Sequence, residues 1–234
     1  MAKDPTLEPL RELASNLWVG DAQQRAFGVE MGTRMTVIRY GDRRLLIHSP
    51  VPVTEERLAA VRALGRVEAL VAPNRFHHLY VADWRRELPD AVLYVPRDLE
   101  RKRPDLAASH PIPEPGKASW SGEIEHLEIQ GVPAMNEVVF FHPSSRTLVI
   151  SDLAFNVGPS APRTTRWFFR LSGSYERLAP TRLEKLLTRD RPALRASLER
   201  VLEWPFERVI MAHGDVLEAG ARPALRAGYD WLLA

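Results

Sequence analysis

The stretch Leu70-Val-Ala-Pro-Asn-Arg-Phe-His-His-Leu-Tyr-Val-Ala-Asp-Trp84 sets the pattern that the rest of the chain follows. Its apolar start is typical of a buried strand, and the polar residues after it indicate a turn that leads into a helix. His77 and His78 stand where that helix begins. Loops at the carboxyl ends of strands in α/β proteins converge on a shared crevice, so these histidines are the first candidates for a functional site. A histidine pair at a helix start is also common as a structural or solvated feature, so partners elsewhere in the chain must decide.

The composition is that of a globular protein with one substantial core. The chain has 234 residues, of which 45% are hydrophobic and 26% are charged, and this length suits a single domain over residues 1–234. The formal net charge is +2 and no dense basic run is present, so we expect no nucleic-acid partner. The chain has no cysteine, so any metal must be held by histidine nitrogens and carboxylate oxygens.

Nothing in the sequence indicates a membrane segment. No run reaches the roughly 18 apolar residues of a transmembrane helix. Met1–Pro9 contains acidic residues and lacks an apolar signal core. We therefore expect a cytoplasmic protein with no membrane partner.

Strand and helix signals alternate along most of the chain. Thr33–Tyr40 and Arg44–His48 are typical of a hairpin, with Gly41-Asp42 between them. A helix is predicted from a Thr54 cap to about Leu64. Further strands are predicted at Val67–Ala72, Ala91–Val95, Ile124–Ile129, Glu137–Phe141, Thr147–Ser151 and Glu207–Ala212, and helix-like patterns start at Leu10 and cover Trp167–Leu187 and Pro192–Leu202.

Three apolar strands end in side chains of the metal-binding type. His77 and His78 follow the first, Asp152 follows the second, and His213 with Asp215 follows the third. Each has a structural alternative, such as a cap for Asp152 or a turn contact for His213. Two or three imidazoles with a carboxylate suit zinc, manganese or iron. The three strand ends together therefore indicate a metal site.

The order of these features resembles the metallo-β-lactamase superfamily. A strand ends in a histidine-rich turn, a later strand ends in Asp152, and a late strand ends in Ala212-His213-Gly214. The specific form is similar to the DUF4336 branch of that superfamily. The resemblance implies an α/β protein with α+β character, built as a four-layer αββα sandwich of two mixed β-sheets.

The superfamily signature, His-x-His-x-Asp-His, is only partly matched. Pro73 and Arg75 stand at the first two histidine positions, His77 stands at the aspartate position, and His78 matches the last histidine. The turn at Pro133–Asn136, where a further histidine is usual, has none. The ligands of the first metal are thus mostly replaced.

The resemblance then implies at most one divalent metal, in the second position. Its ligands would be His77, His78, Asp152 and His213. Arg75 would place a cation near the lost first metal, where it would pair with Asp152 or contact substrate. Asp152 or Asp215 would orient or deprotonate water in catalysis.

Two functions remain open at this point. One is a metal-dependent hydrolase of an unknown small molecule, since a bound cation acidifies water and polarises acyl or phosphoryl oxygens. The other is a non-catalytic binding or structural protein, with no metal, that has lost the dinuclear site. Four protein ligands fill a tetrahedral site, which is typical of structural metals.

Overall fold

Two β-sheets dominate the fold, and the strands that the sequence predicts lie in them. The computed structural model describes residues 8–234. Residues 1–7, and with them most of Met1–Pro9 for which we expect no signal segment, lie outside the described residues. The strands are β1 (Arg11–Ala14), β2 (Leu17–Ala22), β3 (Arg25–Ala26), β4 (Val29–Glu30), β5 (Thr33–Tyr40), β6 (Arg44–His48), β7 (Arg66–Val71), β8 (Val92–Val95), β9 (His110–Pro111), β10 (Glu125–Glu128), β11 (Val138–His142), β12 (Thr147–Val149) and β13 (Arg208–Ile210). The helices are α1 (Glu55–Leu64), α2 (Val81–Glu87), α3 (Leu99–Lys102), α4 (Arg163–Ser172), α5 (Arg182–Leu187), α6 (Arg191–Glu203), α7 (Ala221–Gly228) and α8 (Asp230–Leu233).

Both large sheets are mixed. The first has the strand order β1-β2-β5-β6-β7-β8-β9, antiparallel from β1 to β6 and parallel from β6 to β9. The second has the order β10-β11-β12-β13, antiparallel except for the parallel pair β12 and β13. Strands β3 and β4 form a separate small hairpin.

Alternating side chains give each sheet two apolar faces. In β6, Leu46 packs in the layer between the sheets, whereas Leu45 and Ile47 pack on the opposite face. In β11, Phe140 faces the layer between the sheets, and Phe141 packs on the other side. The period of two along a strand produces this arrangement. Each sheet is therefore buried on both sides.

Helices cover the two outer faces. Leu58 of α1 and Trp84 of α2 pack in the apolar cluster behind the first sheet. Leu198 of α6 and Leu225 of α7 pack behind the second sheet. The result is the expected four-layer αββα sandwich, which is a standard way to bury both faces of two sheets.

Local signals in the sequence are matched at several element ends. The Oγ1 atom of Thr54 accepts a hydrogen bond from the Arg57 N–H and caps α1. Strand β6 ends at His48, and Ser49 then has a positive φ of 52° ahead of Pro50. Among residues 8–234, none of the helices has both the length and the apolar character for a membrane crossing.

Two helix expectations need correction. The patch at Leu10 leads into strand β1, because Arg11–Ala14 pairs with β2 along the sheet edge and tertiary pairing overrides the local pattern. The run Trp167–Leu187 is divided between α4 and α5. Gly173, with a φ of 95°, ends α4 in the left-handed conformation that favours glycine.

Candidate metal centre and adjoining cleft

Three of the predicted side chains meet where the two sheets come together at one edge. His77 lies in the turn after β7, Asp152 follows β12, and His213 follows β13. One potential ligand atom from each lies within 4.8 Å of the others. The Asp152 carboxylate stands between the two rings, with Oδ2 at 3.4 Å from His77 Nε2 and Oδ1 at 3.6 Å from His213 Nε2. The three donors are close enough to share one cation.

The hydrogen bonding of His213 fits a metal ligand. Its Nδ1 lies 2.6 Å from the Gly32 carbonyl oxygen, which only accepts, so Nδ1 carries the hydrogen. In the neutral ring, Nε2 then presents a lone pair toward the Asp152 carboxylate. Burial, followed by the charge of His77, lowers the pKa of His213 to about 4, so the neutral ring is the form at neutral pH. Two acceptors facing each other across this gap form a site suited to a cation.

His77 is held from both its backbone and its ring. The ring Nδ1 of His77 lies 2.8 Å from the Ser49 hydroxyl. The backbone N–H of His77 donates to the side-chain oxygen of Asn74 at 2.8 Å. Burial lowers the pKa of His77, but the nearby carboxylates, chiefly that of Asp152, outweigh burial and raise it overall. The ring is therefore oriented toward Asp152 by fixed partners.

Two buried residues that the sequence analysis missed hold Asp152 in place. The Asn74 amide donates to Asp152 Oδ2 at 2.8 Å and to Glu137 Oε2 at 3.1 Å. The Glu137 carboxylate accepts from the backbone N–H groups of Ser151 and Asp152 at 2.7 and 2.8 Å. Both Asn74 and Glu137 are completely buried. A lone acidic residue directly before the apolar run Val138–Phe141 was the available signal for Glu137.

The pKa values of the two buried carboxylates are shifted in opposite directions. Burial, followed by the charge of Asp152, raises the pKa of Glu137 to about 7. Burial also acts to raise the pKa of Asp152, but His77, His213 and the Asn74 hydrogen bond outweigh it and bring that pKa to about 2. Asp152 is therefore the carboxylate that carries negative charge between the two histidines.

His78 lies outside this group, contrary to its expected role as a ligand. Its Nδ1 is 2.8 Å from Arg103 Nη1, and the Arg103 guanidinium also donates to the His78 carbonyl at 3.2 Å. His77 and His78 lie in the turn before α2, and of the two rings it is that of His77 that is turned toward Asp152. The resemblance implied both histidines as ligands, and the geometry brings one of them to the group.

Arg75 and Asp215 are also apart from the three donors. The Arg75 guanidinium reaches the Pro133 carbonyl at 3.5 Å, and Asn74 is the residue that bonds to Asp152. Asp215 is exposed, and its backbone N–H donates to the Asn156 carbonyl at 2.7 Å. The expected pair of Arg75 with Asp152 is therefore wrong.

A cleft of about 320 Å³ opens onto the three donors. His77, Asp152 and His213 form part of its lining, and the Phe155 ring stacks on His213 with 5.8 Å between centroids. Most of the other lining side chains are apolar, among them Phe27, Met31, Phe76, Leu79, Phe155 and Leu183. The site thus has the usual form of a small-molecule pocket, with few polar groups in an apolar wall.

Solved structures show which class of fold this is. A metallo-β-lactamase from Pontibacter korlensis superposes with a TM-score of 0.65 at 13% identity, over 96% of this chain and 97% of that chain. The mono-zinc form of the metallo-β-lactamase FIM-1 from Pseudomonas aeruginosa gives a TM-score of 0.63 at 10% identity, over 96% and 92%. The Flv1 flavodiiron core of Synechocystis gives 0.65 at 12% identity, over 95% of this chain and 60% of that one. The fold is that of the metallo-β-lactamase superfamily.

Comparison of the sequence with family models is more specific. The family described as a domain of unknown function, DUF4336, matches residues 14–172, which is more than half of the chain. The protein belongs to the DUF4336 family. Comparison with curated proteins finds no match.

Proposed function

We propose that this protein is a hydrolase that depends on a single divalent metal ion held by His77, Asp152 and His213. The observation that carries the proposal is the Asp152 carboxylate set between two imidazole Nε2 atoms, at 3.4 and 3.6 Å, beside a cleft. Two histidines and one carboxylate match the preferences of zinc, manganese and iron. The mono-zinc form of FIM-1 is an example of this fold with a single zinc ion, which supports the proposal of one metal.

The number of protein ligands favours catalysis over a structural role. With His78 bonded to Arg103, three protein ligands remain. Catalytic zinc sites commonly have three protein ligands and an open position, whereas structural sites have four. When bound, a divalent ion lowers the pKa of coordinated water and polarises the carbonyl oxygen of an ester or amide.

The side chains of the site are arranged before any ligand binds. Gly32 sets the tautomer of His213, Ser49 orients His77, and Asn74 with Glu137 holds Asp152. Such fixed partners reduce the reorganisation that metal and substrate binding require. Phe155, stacked on His213, limits the access of bulk water to that ring.

The first test is metal content. We expect about one equivalent of zinc, manganese or iron in tag-free protein, and a loss of that metal in the variants His77→Ala, Asp152→Asn and His213→Ala. His78→Ala is the matched control, because it removes the adjacent imidazole outside the group and should leave the stoichiometry unchanged. Elemental analysis of folded protein, checked by circular dichroism, measures this.

The second test is activity toward p-nitrophenyl esters with and without chelator. Turnover should be lost in chelator, return when the metal is added back, and be absent in His213→Ala. Metal-free wild-type protein that neither binds added metal nor turns over ester would reject the hydrolase and favour the non-catalytic binding protein.

A further inference from the structure

The cleft beside the three donors has an apolar opening as well as an apolar interior. Phe27, Leu79 and Leu183 line it and are nevertheless 72%, 52% and 43% exposed. Exposed apolar groups gathered around a cavity are typical of a surface that contacts an apolar ligand, a protein or a membrane, and their place at the cavity favours the ligand. The volume of about 320 Å³ lies at the lower end of the roughly 300 to 1,000 Å³ typical of small-molecule sites. A single apolar chain is the kind of group that this wall accommodates.

Apart from the histidines, the ionisable acidic and basic side chains that line the cleft are carboxylates. Asp152 and Glu184 line it, and among residues 8–234 no lysine or arginine does. Arg34, which lies near His213, is engaged elsewhere. Arg34 pairs with Asp21 at 2.7 Å and donates to the Gly214 carbonyl at 2.9 Å. An anionic group that entered the metal-free cleft would lose its water, would gain no lysine or arginine partner and would face two carboxylates.

Uncharged polar groups are present at the same cavity. The Tyr80 hydroxyl donates to Gln24 Oε1 at 2.8 Å, and both residues line the cleft together with the Thr33 and Ser172 side chains. Hydroxyl and amide groups can bind an uncharged polar head without a compensating charge. The cleft therefore combines an apolar wall, neutral hydrogen-bonding groups and two carboxylates without a lysine or arginine beside them.

From this combination we infer that the substrate is a neutral amphiphile, namely a carboxylic ester or amide with a medium-length apolar chain, and that the metal-free cleft disfavours carboxylate and phosphate compounds. The inference rests on the proposed function for the position of the reacting carbonyl near His77, Asp152 and His213. The recognition of chain and charge belongs to the cleft alone and is present without metal.

Isothermal titration calorimetry of the metal-free protein measures the recognition of ligand chain and charge separately from catalysis. The probes are 1-octanoylglycerol, 1-butanoylglycerol, octanoate and octyl phosphate, each below its micellar concentration. Burial of apolar area predicts up to about fourfold tighter binding for each added methylene, so the octanoyl ester should bind far more tightly than the butanoyl ester. Octanoate and octyl phosphate should bind at least about tenfold more weakly than the octanoyl ester, because their charge has no partner in the cleft.

Helix α5 offers a matched pair of variants. Leu183→Asp places a carboxylate in the cleft lining and should weaken octanoylglycerol binding at least about tenfold. Leu186→Asp makes the same change on the same helix at a residue that is 76% exposed and does not line the cleft, so binding should be unchanged.

Glu184→Gln tests the charge argument in the opposite direction. Glu184 forms a capping box with Thr181, and glutamine can retain that box. The variant should bind octanoate severalfold more tightly than the wild type does.

The inference is overturned if no probe binds, if octanoate or octyl phosphate binds as tightly as the neutral ester, or if the two leucine variants behave alike. Chain-dependent binding without turnover in metal-loaded protein would leave the inference intact and reject the hydrolase. Metal-dependent turnover that is as fast with short-chain or anionic substrates as with the octanoyl ester would support the hydrolase and overturn the inference about the substrate.

Discussion

A single hydrogen bond, from His213 Nδ1 to the Gly32 carbonyl, decides which nitrogen of that ring faces Asp152. Other single hydrogen bonds orient the side chains of the site in the same way. Ser49 orients His77, and Asn74 bonds to both buried carboxylates. The chemistry of the three donors therefore depends on neighbours that would themselves not bind the metal.

Glu137 provides a prediction at this scale. Its two oxygens accept from two backbone N–H groups and from Asn74. Glu137→Gln would turn an amide nitrogen toward at least one of these donors. We expect the free energy of unfolding of the metal-free protein to fall by about 1 to 3 kcal/mol and metal affinity to fall by about 10- to 100-fold.

Urea denaturation and metal titration measure the two effects. Glu128→Gln, at a partly buried position on the neighbouring strand β10, removes the same charge and serves as the control. Equal stability and equal metal affinity in Glu137→Gln and wild type would show that Glu137 does not position Asp152.

At the scale of the element, the turn after β13 determines where His213 lies. Gly214 has a φ of 95°, and a Cβ atom there would lie 2.3 Å from the Asn156 carbonyl oxygen. The turn is thus pressed against the segment after Asp152, and the Asp215 N–H bonds to the same carbonyl. Two of the three donors are connected through this contact.

Gly214→Ala should therefore be more damaging than an ordinary glycine substitution at positive φ. The left-handed conformation alone destabilises alanine by about 1 to 2 kcal/mol, and the clash with Asn156 adds to this and displaces His213. Gly173→Ala is a matched control, because Gly173 has the same φ of 95° and no atom within 4 Å of the built Cβ.

Chemical denaturation and metal titration of both variants make the comparison. Gly214→Ala should lose more stability than Gly173→Ala and should alone bind metal more weakly. Equal losses of stability with unchanged metal binding in both would show that the turn does not control His213.

At the scale of the whole molecule, the candidate metal centre joins the two sheets. His77 follows a strand of the first sheet, whereas Asp152 and His213 follow strands of the second. Each sheet has its own helices behind it and shares one apolar layer with the other. An ion held by these residues would tie the two halves together at one edge.

Metal binding should therefore stabilise the entire fold. A ligand that binds only the folded state at 100 times its dissociation constant contributes about 2.7 kcal/mol. We expect added zinc to raise the melting temperature of metal-free wild type and of His78→Ala in one cooperative step, and to leave that of Asp152→Asn unchanged. Differential scanning calorimetry measures this. An equal rise in Asp152→Asn would place the binding of zinc elsewhere on the protein.

The sequence alone determined most of the strands of the two large sheets and the strand ends that carry chemistry. The alternation in β5, the apolar runs of β6 and β11, the Thr54 cap and the residues at 77, 152 and 213 are local properties, so they can be read from neighbours in the chain. The lack of cysteine likewise restricted the ligands to nitrogen and oxygen.

Only the tertiary structure decided which side chains meet. His77 rather than His78 faces Asp152, because the direction of a side chain at a turn depends on backbone geometry that sequence spacing does not specify. Asn74 and Glu137 lie 63 residues apart in the chain, and the packing of one sheet on the other brings them together beneath Asp152. The apolar cleft is likewise assembled from distant segments, because burial on both faces of two sheets decides what remains open between them.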